Sequence, residues 1–342
     1  MRYFGSFAQS KKVELSAMTL KQIRHEFGAE VEPFTLHLPF PELLAGAWMA
    51  CRESLLVGIV RRDLKEAVAA TVSAINRCPY CVDAHNIMML AFSGREYSSA
   101  ISESRYDAIA DEDVREVVRW AAATRSPGSS ELNAPPFPPD EAPEFIGTAL
   151  FFHYINRMVT ILLGRSPLPF SKGTPKKAAM RMAAWYFGRA IHLSGVPCAS
   201  LDLLPPADLP EDLRWSKSSR CISGAYAAFS RAVDEAGSEV LPEKVRNAIG
   251  HILDMWDGKD PGTLETLIAL NLGKYTGRSR AAGELALCAA LAPYRVTERL
   301  VSAFASHHPG DRQLLAVLAW GSFAAARRIG EWIGKPFEEK YR

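Results

Sequence analysis

Residues 65–85 read KEAVAATVSAINRCPYCVDAH, and this stretch carries the most distinctive pattern of the 342-residue sequence. Alanine, glutamate and other helix-forming residues on both sides of a short break predict two helices, at about 62–76 and 80–93. Two cysteines, Cys78 and Cys81, lie at the break. The stretch therefore predicts a helical hairpin with a pair of thiols at its turn.

The spacing of the two cysteines predicts a reactive dithiol. At a turn that enters a helix, two cysteines separated by two residues can meet in a small disulfide ring. The unpaired backbone N–H groups and the positive dipole end of such a helix favour a thiolate over a thiol. In these settings the pKa of a cysteine falls from about 8.5 to roughly 3.5–7.5.

Two further residues can serve this dithiol. His85 follows Cys81 by four residues, so the two side chains share one face of the helix. The imidazole can then remove the thiol proton, either directly or through a water molecule. Glu66 lies on the preceding helix, where its carboxylate can fix the tautomer of His85 and raise the basicity of the ring. The candidate catalytic set is therefore Cys78, Cys81, His85 and Glu66.

Two other interpretations of this motif stay open. The two thiols and His85 could ligate a structural zinc ion, although no second Cys/His pair at zinc-finger spacing follows. Alternatively, the thiols could fill a helix crossing as small buried side chains. The four other cysteines are isolated in apolar surroundings, and we expect them to be small buried hydrophobic residues. They are Cys51, Cys198, Cys221 and Cys288.

The composition is that of a soluble globular protein. Hydrophobic residues make up 48% and charged residues 23%, which excludes a disordered or collagenous chain. The formal net charge of +2 is too balanced to predict nucleic-acid binding. The most apolar long stretch, 148–163, is interrupted by polar residues and is too short to span a membrane. The N-terminus lacks the pattern of a signal peptide, so we expect a cytoplasmic protein.

The sequence predicts an all-α fold. Alanine, leucine, glutamate and arginine dominate the long segments, and strict apolar/polar alternation is scarce. Within 142–163, aromatic residues flank His153, which we expect to be a structural histidine near the core, with a role in a pocket as the alternative. The candidate helices are 41–57, 62–76, 80–93, 111–124, 142–163, 175–193, 223–236, 242–256, 279–291, 297–305 and 311–333.

Short sequence similarities between the two halves of the chain predict a tandem duplication. CPYCV at 78–82 is echoed by APYRV at 292–296, and GAW at 46–48 is echoed by GAY at 224–226. Aligning the repeats places alanine or arginine at each chemical position, so a second copy would lack thiol chemistry. The residues at positions 78, 81, 85 and 66 of the first copy correspond to Ala292, Arg295, Arg299 and Arg280.

The pattern Glu-X11-Cys-X2-Cys-X3-His, which Glu66, Cys78, Cys81 and His85 match, resembles the active-site signature of the AhpD-like alkylhydroperoxidases. These proteins are part of the carboxymuconolactone decarboxylase superfamily. The resemblance covers about residues 38–168. It implies a helical subunit that assembles into a homo-oligomer. It also implies a thiol peroxidase without a metal or bound cofactor, which an external dithiol protein reduces, in some members a lipoyl-bearing domain.

Two departures from the family pattern shape the predicted domains. Simple members are about half as long, and some carry a histidine directly before the second cysteine, where this chain has Tyr80. A proton-relay role of that histidine is therefore absent here or moved to the phenol. We predict four segments. They are an N-terminal extension (1–37), a catalytic AhpD-like domain (38–168), a linker or bridging helix (169–210) and a degenerate AhpD-like second domain (211–342).

The function predicted from these patterns is thiol-dependent reduction of a small-molecule hydroperoxide. Because His85 is nearer to Cys81 along the helix, Cys81 is predicted to attack the peroxide and Cys78 to close the disulfide, although exposure of the sulfurs can reverse these roles. Two alternatives remain. One is a decarboxylase or isomerase that works by acid–base chemistry, and the other is a non-enzymatic redox-sensing or assembly protein.

Overall fold

The computed structural model describes residues 1–5, 13–93, 97–163 and 195–338. No β-strand occurs in these ranges, which confirms the all-α class. We number the described α-helices in chain order. Those of the first half are α1 (Glu14–Phe27), α2 (Glu32–Thr35), α3 (Pro41–Cys51), α4 (Arg62–Ile75), α5 (Pro79–Ser93), α6 (Ser98–Ser102), α7 (Glu112–Ala123), α8 (Ser130–Asn133) and α9 (Ala142–Leu162). Those of the second half are α10 (Arg220–Val240), α11 (Glu243–Asp254), α12 (Leu264–Leu272), α13 (Gly277–Leu291), α14 (Glu298–Ala305) and α15 (Asp311–Glu338).

The predicted helices agree with the observed ones to within a few residues at most ends. The bridging helix predicted at 175–193 lies outside the described residues. One predicted helix is shorter than expected, because α3 ends at Cys51 and continues as a π-helical turn, Arg52–Leu56. This turn carries two buried charged side chains, Arg52 and Glu53, whose Nη1 and Oε1 atoms are 2.7 Å apart.

The helix α9 lies at the centre of the structure. Almost every residue along it is buried, and it packs against α3, α4 and α15. By length and apolar composition it is the described helix that would be able to cross a membrane. However, 94% of its most apolar window is buried inside the protein. A helix that is apolar all round and buried in this way is typical of a protein core.

Among the described residues, two helix pairs make the most extensive contacts between the first half of the chain and the second. The helix α3 packs on α10, and α9 packs on α15. A glycine allows the first pair to approach closely, because a Cβ atom at Gly46 would lie 2.7 Å from the ring of Phe229. Gly46 belongs to the segment that the repeat aligns with 224–226 on α10. Packing of two equivalent segments against each other is expected of duplicated domains. The duplication and its segment boundaries remain predictions.

A disulfide between Cys198 and Cys221 shows that the prediction of isolated, apolar side chains at these two positions was wrong. The chain folds back over α10 after the first half, and the disulfide joins the segment 195–204 to the first turn of that helix. Glu53 fixes the same segment by accepting hydrogen bonds from the Cys198 N–H (2.7 Å) and the Ser200 hydroxyl (2.6 Å). Structural disulfides are rare in cytosolic proteins, so this bond gives no support to a cytoplasmic location.

Candidate functional site

The two cysteines of the motif meet at the start of α5. Cys78 directly precedes Pro79, the first residue of that helix, and Cys81 lies within its first turn. The two Sγ atoms are 2.7 Å apart, close enough to bond directly on oxidation. Both side chains are buried, with 1% of Cys78 and 3% of Cys81 exposed. The structure therefore brings the predicted dithiol together in a protected position.

A tight connection between α4 and α5 holds Cys78 in place. Arg77 adopts a φ of 54°, in the left-handed region that residues with a side chain rarely occupy. The N–H of Cys78 donates to the carbonyl oxygen of Ser73 at 3.0 Å. Because only three residues reverse the chain, the position of this sulfur is fixed relative to both helices.

The two thiols differ in acidity. Burial opposes ionisation of Cys78, but the neighbouring thiol and N–H of Cys81, with a smaller effect of Thr160, lower the pKa of Cys78 below its ordinary value. Burial raises the pKa of Cys81, and its hydrogen bond to Cys78 raises it further. The pair therefore ionises first at Cys78, while Cys81 keeps the shared proton.

Glu66 and His85 form the predicted acid–base pair. The Glu66 side chain is fully buried on α4, and its Oε2 atom lies 2.6 Å from Nδ1 of His85. Its Oε1 atom accepts a 2.7 Å hydrogen bond from Nε of Arg62. Burial raises the pKa of Glu66, but Arg62 and His85 overcome this and lower it, so the carboxylate is ionised. Nδ1–H of His85 then donates to Glu66, which leaves Nε2 free to act as a base.

The His85 ring makes no hydrogen bond to either sulfur among the described residues. Among the contacts of the described residues, no hydrogen bond joins it to Cys78 or Cys81, and its ring packs edge-on against Phe152 at 4.4 Å. Both His85 and Cys81 face one cavity of about 180 Å³. A proton passing between them must therefore cross that cavity, through a substrate or a water molecule.

The cavity walls are largely apolar. Aromatic side chains from three parts of the chain form them, including Phe34, Phe151 and Phe152. Cys81 lines the cavity, and Cys78 is not among the residues that line it. The segment at 27–34, which precedes the predicted catalytic domain, also contributes to the wall. This contribution could not be predicted, because the segment is distant along the chain from the cysteine motif and lacks a functional motif of its own.

Tyr80 does not replace the missing histidine of the family pattern as a proton relay. Its hydroxyl donates to Oε2 of Glu32 at 3.0 Å. Burial raises the pKa of this phenol, and Glu32 raises it further, so the phenol stays protonated. In the structure Tyr80 closes one side of the cavity by binding the start of α2.

The sequence analysis did not identify two polar residues of α9 that lie beside the thiols. Asn156 lowers the pKa of Cys81, and Thr160 lowers that of Cys78, against the larger effect of burial. Their spacing of four residues places them on one face of α9, but that face cannot be connected to the motif without the fold. His153 lies on the same helix, fully buried and hydrogen-bonded to Thr124 at 2.9 Å, as expected of a structural histidine.

The second-half positions that align with the site carry no thiol. Ala292 is buried, Arg280 pairs with Glu284 within α13, and Arg299 is exposed. Within the part of the chain that the structure describes, no group of three His, Cys, Asp or Glu side chains is placed to hold a metal ion.

Comparison with known proteins gives one informative result. No protein-family model matches the chain. The chain is 37% identical over 319 residues to the alkyl hydroperoxide reductase Rv2159c of Mycobacterium tuberculosis. The alignment covers 93% of this chain and 90% of that protein. The similarity therefore extends over both halves, beyond the segment that holds the cysteine motif.

Proposed function

The chain belongs to the AhpD-like alkyl hydroperoxide reductases, and on that premise we propose that it is a peroxidase that reduces organic hydroperoxides with its Cys78–Cys81 dithiol. One observation carries the proposal. The two sulfurs are 2.7 Å apart, and one of them faces a cavity shared with a histidine. This arrangement supplies a nucleophile, a base and a second thiol within reach of one small molecule.

The first step oxidises Cys81. Nε2 of His85 takes the Cys81 proton through the cavity, and the thiolate attacks the terminal oxygen of the hydroperoxide. The O–O bond breaks, the sulfur becomes a sulfenic acid, and the leaving alkoxide takes the proton back from His85 to give an alcohol. Cys81 attacks rather than Cys78 because it is the sulfur that lines the cavity.

The second step closes the disulfide. The Cys78 thiolate attacks the sulfenic sulfur of Cys81, the S–O bond breaks, and the leaving hydroxide takes a proton from solvent to become water. In total the two cysteines lose two electrons, and the hydroperoxide becomes an alcohol and water. An external dithiol then returns two electrons by thiol–disulfide exchange and is itself oxidised to a disulfide. The lower pKa of Cys78 suits it to the resolving role, because it is already ionised.

Thiol counting with mass mapping tests the proposal. One equivalent of an organic hydroperoxide should remove two free thiols and produce one Cys78–Cys81 disulfide. The buried thiols of Cys51 and Cys288 should stay reduced and serve as internal controls. Full recovery of the Cys78 and Cys81 thiols after the oxidant would contradict the proposal.

Single serine variants assign the two roles. In the Cys78→Ser variant the sulfenic acid should persist on Cys81, where a trapping reagent adds a detectable mass. The Cys81→Ser variant should give no such adduct at Cys78, because that sulfur does not face the cavity. An adduct at Cys78 and none at Cys81 would reverse the assignment.

A further inference from the structure

Arg62 lies one turn before Glu66 on α4 and binds the carboxylate oxygen that His85 does not bind. Its Nε and Nη2 atoms are 2.7 Å and 2.6 Å from Oε1 of Glu66. The other oxygen, Oε2, is 2.6 Å from Nδ1 of His85. The Arg62 side chain is 16% exposed, and that of Glu66 is fully buried. A buried carboxylate therefore lies between a guanidinium group and an imidazole ring.

Other ionisable groups near Glu66 do not supply the positive charge that its carboxylate needs. The ammonium group of Lys65 is 2.6 Å from Oε2 of Glu144, which balances its charge. Cys51 of α3 lines the cavity together with Arg62 and Glu66, and burial raises the pKa of its thiol, so this group is neutral. While the imidazole is neutral, the Glu66 carboxylate is therefore balanced by Arg62.

The charge of Arg62 decides how many protons Glu66 and His85 hold between them. With Arg62 present, the three groups carry no net charge when His85 is neutral. The Cys81 thiol on α5 is neutral as well, because burial raises its pKa. Without Arg62, Glu66 and a neutral His85 would form a buried negative charge. A buried charge that has lost its partner is strongly unfavourable, so the pair would take up a proton instead.

Such an extra proton would disable His85 as a base in either of its two possible positions. If the proton lies on the imidazole, both ring nitrogens carry hydrogen. If it lies on Glu66, the carboxylic acid donates to Nδ1, and the neutral ring then carries its hydrogen on Nε2. In both cases Nε2 is unable to accept a proton from the cavity.

We propose that Arg62 is a positioning residue that acts through Glu66, because its charge keeps the Glu66–His85 pair from taking up an extra proton and so leaves Nε2 of His85 free at neutral pH. Arg62 precedes the pattern that begins at Glu66, so the cysteine motif does not include it. The kinetic consequence rests on the proposed peroxidase function, whereas the protonation of the pair does not.

Nitrogen NMR of the His85 ring tests the proposal, because the Nε2 resonance shows directly whether this atom carries hydrogen. Arg62→Gln removes the charge and keeps a hydrogen-bonding side chain. The pH at which Nε2 loses its proton should rise by about one to three units, as expected for the loss of a charge in direct contact with the pair. Arg62→Lys keeps the charge and should restore most of the parental midpoint. His85→Ala assigns the resonance.

The matched control is Arg61→Gln, which removes the neighbouring arginine. Arg61 is exposed, and its Nη2 atom pairs with Oδ2 of Asp63 at 2.7 Å. Its loss should leave the Nε2 midpoint at the parental pH. If Arg62 only stabilised the fold, Arg62→Gln would lower the free energy of unfolding but would leave the midpoint unchanged, as in Arg61→Gln.

A second background keeps the test valid if Arg62→Gln fails to fold. Glu66→Gln removes the buried negative charge, so the further loss of Arg62 leaves no carboxylate without a partner. Adding Arg62→Gln to Glu66→Gln should raise the Nε2 midpoint by about one unit, because a positive charge near the ring disfavours its protonation. Equal midpoints with and without Arg62 in both backgrounds would overturn the proposal.

Single-turnover oxidation of Cys81 separates this proposal from the peroxidase function. Its rate should rise with pH until Nε2 of His85 loses its proton and should then level off. In Arg62→Gln, the levelling should move to higher pH by as much as the NMR midpoint. The NMR titration contains no hydroperoxide, so a contact of Arg62 with the substrate cannot shift it. A shifted midpoint in a chain that no hydroperoxide oxidises would support the role of Arg62 and contradict the peroxidase function.

Discussion

His85 is the residue on which proton transfer in the proposed reaction depends. The ionised Glu66 holds its Nδ1–H, which leaves Nε2 to accept a proton from the cavity. Replacing His85 with alanine removes this acceptor without touching the sulfurs. We expect the first oxidation by a hydroperoxide to slow by about 10²–10⁴-fold. Stopped-flow measurement of thiol loss in a single turnover gives the rate.

The matched control for this variant is His251→Ala, which removes an exposed imidazole from α11. It should react at the parental rate. If His85→Ala also reacted at the parental rate, His85 would have no part in the mechanism.

His37 makes the stability of the protein depend on pH. Its ring is fully buried between the Tyr154 hydroxyl (2.7 Å) and the Phe34 carbonyl oxygen (3.3 Å), and burial lowers its pKa to about 4. The unfolded chain binds a proton at this histidine near pH 6.5, whereas the native chain does so only near pH 4. Stability therefore falls as the pH falls from about 6.5 to about 4. At about pH 5, this one group lowers the free energy of unfolding by about 2 kcal/mol.

Urea unfolding of the parent and of His37→Gln measures this contribution. Glutamine keeps a hydrogen-bonding side chain but does not titrate. The variant should therefore lose about 2 kcal/mol less than the parent between neutral pH and about pH 5. If the parent and His37→Gln lost the same unfolding free energy between neutral pH and about pH 5, His37 would be protonated in the native state at about pH 5.

At the scale of residues, the sequence predicted which side chains of the cysteine motif lie close together because their spacing is local, and their catalytic roles stay predictions. Cys81 and His85 share a helix face, and one short turn brings Glu66 beside His85. Asn156 and Thr160 could not be predicted, because their relation to the cysteines depends on how α9 crosses α5.

The loop between the π-helical turn and α4 depends on a glycine. Gly58 has a φ of 118°, and a Cβ atom there would overlap the carboxylate of Glu144. That carboxylate accepts the N–H of Ile59 at 2.7 Å and pairs with the buried ammonium group of Lys65 at 2.6 Å. Gly58→Ala would displace a buried charge pair in addition to straining the backbone. We expect the free energy of unfolding to fall by about 3 kcal/mol, measured in urea.

Gly128→Ala separates the two causes. Gly128 also has a positive φ, 85°, but no atom lies within 4 Å of its Cβ position. Only the backbone cost of about 1 kcal/mol should remain there. Equal losses in the two variants would mean that the pairing of Glu144 with Lys65 survives the substitution.

At the scale of elements, composition located the long helices because they are rich in helix formers and bounded by proline or glycine. The helices α1 and α12 were not predicted. The helix α12 lacks a clear apolar stripe, and Leu270 in it is exposed. The helix α1 falls in the segment taken as an extension, yet Phe27 at its end reaches the cavity. Helices of this kind are stabilised by tertiary contacts, which composition does not record.

The Cys198–Cys221 disulfide affects the stability of the whole chain. It closes a loop of 23 residues and joins the segment after the first half to α10. Removing both sulfurs by Cys198→Ser and Cys221→Ser should lower the free energy of unfolding by about 3 kcal/mol, because the unfolded chain gains freedom. Urea unfolding measures the loss.

Alkylation of Cys78 and Cys81 should be unchanged in this double variant, since the disulfide does not contact the dithiol. An unfolding free energy equal to that of the parent would show that Glu53 alone holds the segment. A loss of dithiol reactivity would instead show that the two sulfur pairs are linked.

At the scale of the molecule, the family and the all-α class followed from the motif and the composition. The pairing of Cys198 with Cys221 did not follow, because cysteine spacing does not determine which residues meet when a chain folds back. The walls of the cavity could not be predicted either. They combine residues 27–34 with side chains of α5 and α9, which only the assembled fold brings together.

Because aromatic and aliphatic side chains make up most of the wall of the cavity in front of Cys81, we expect this cavity to bind apolar oxidants better than polar ones. A substrate loses its hydration shell when it enters, and each methylene group that becomes buried contributes about 0.8 kcal/mol of binding free energy. We therefore expect the cavity to favour organic hydroperoxides with hydrocarbon chains over hydrogen peroxide, which has no methylene group to bury.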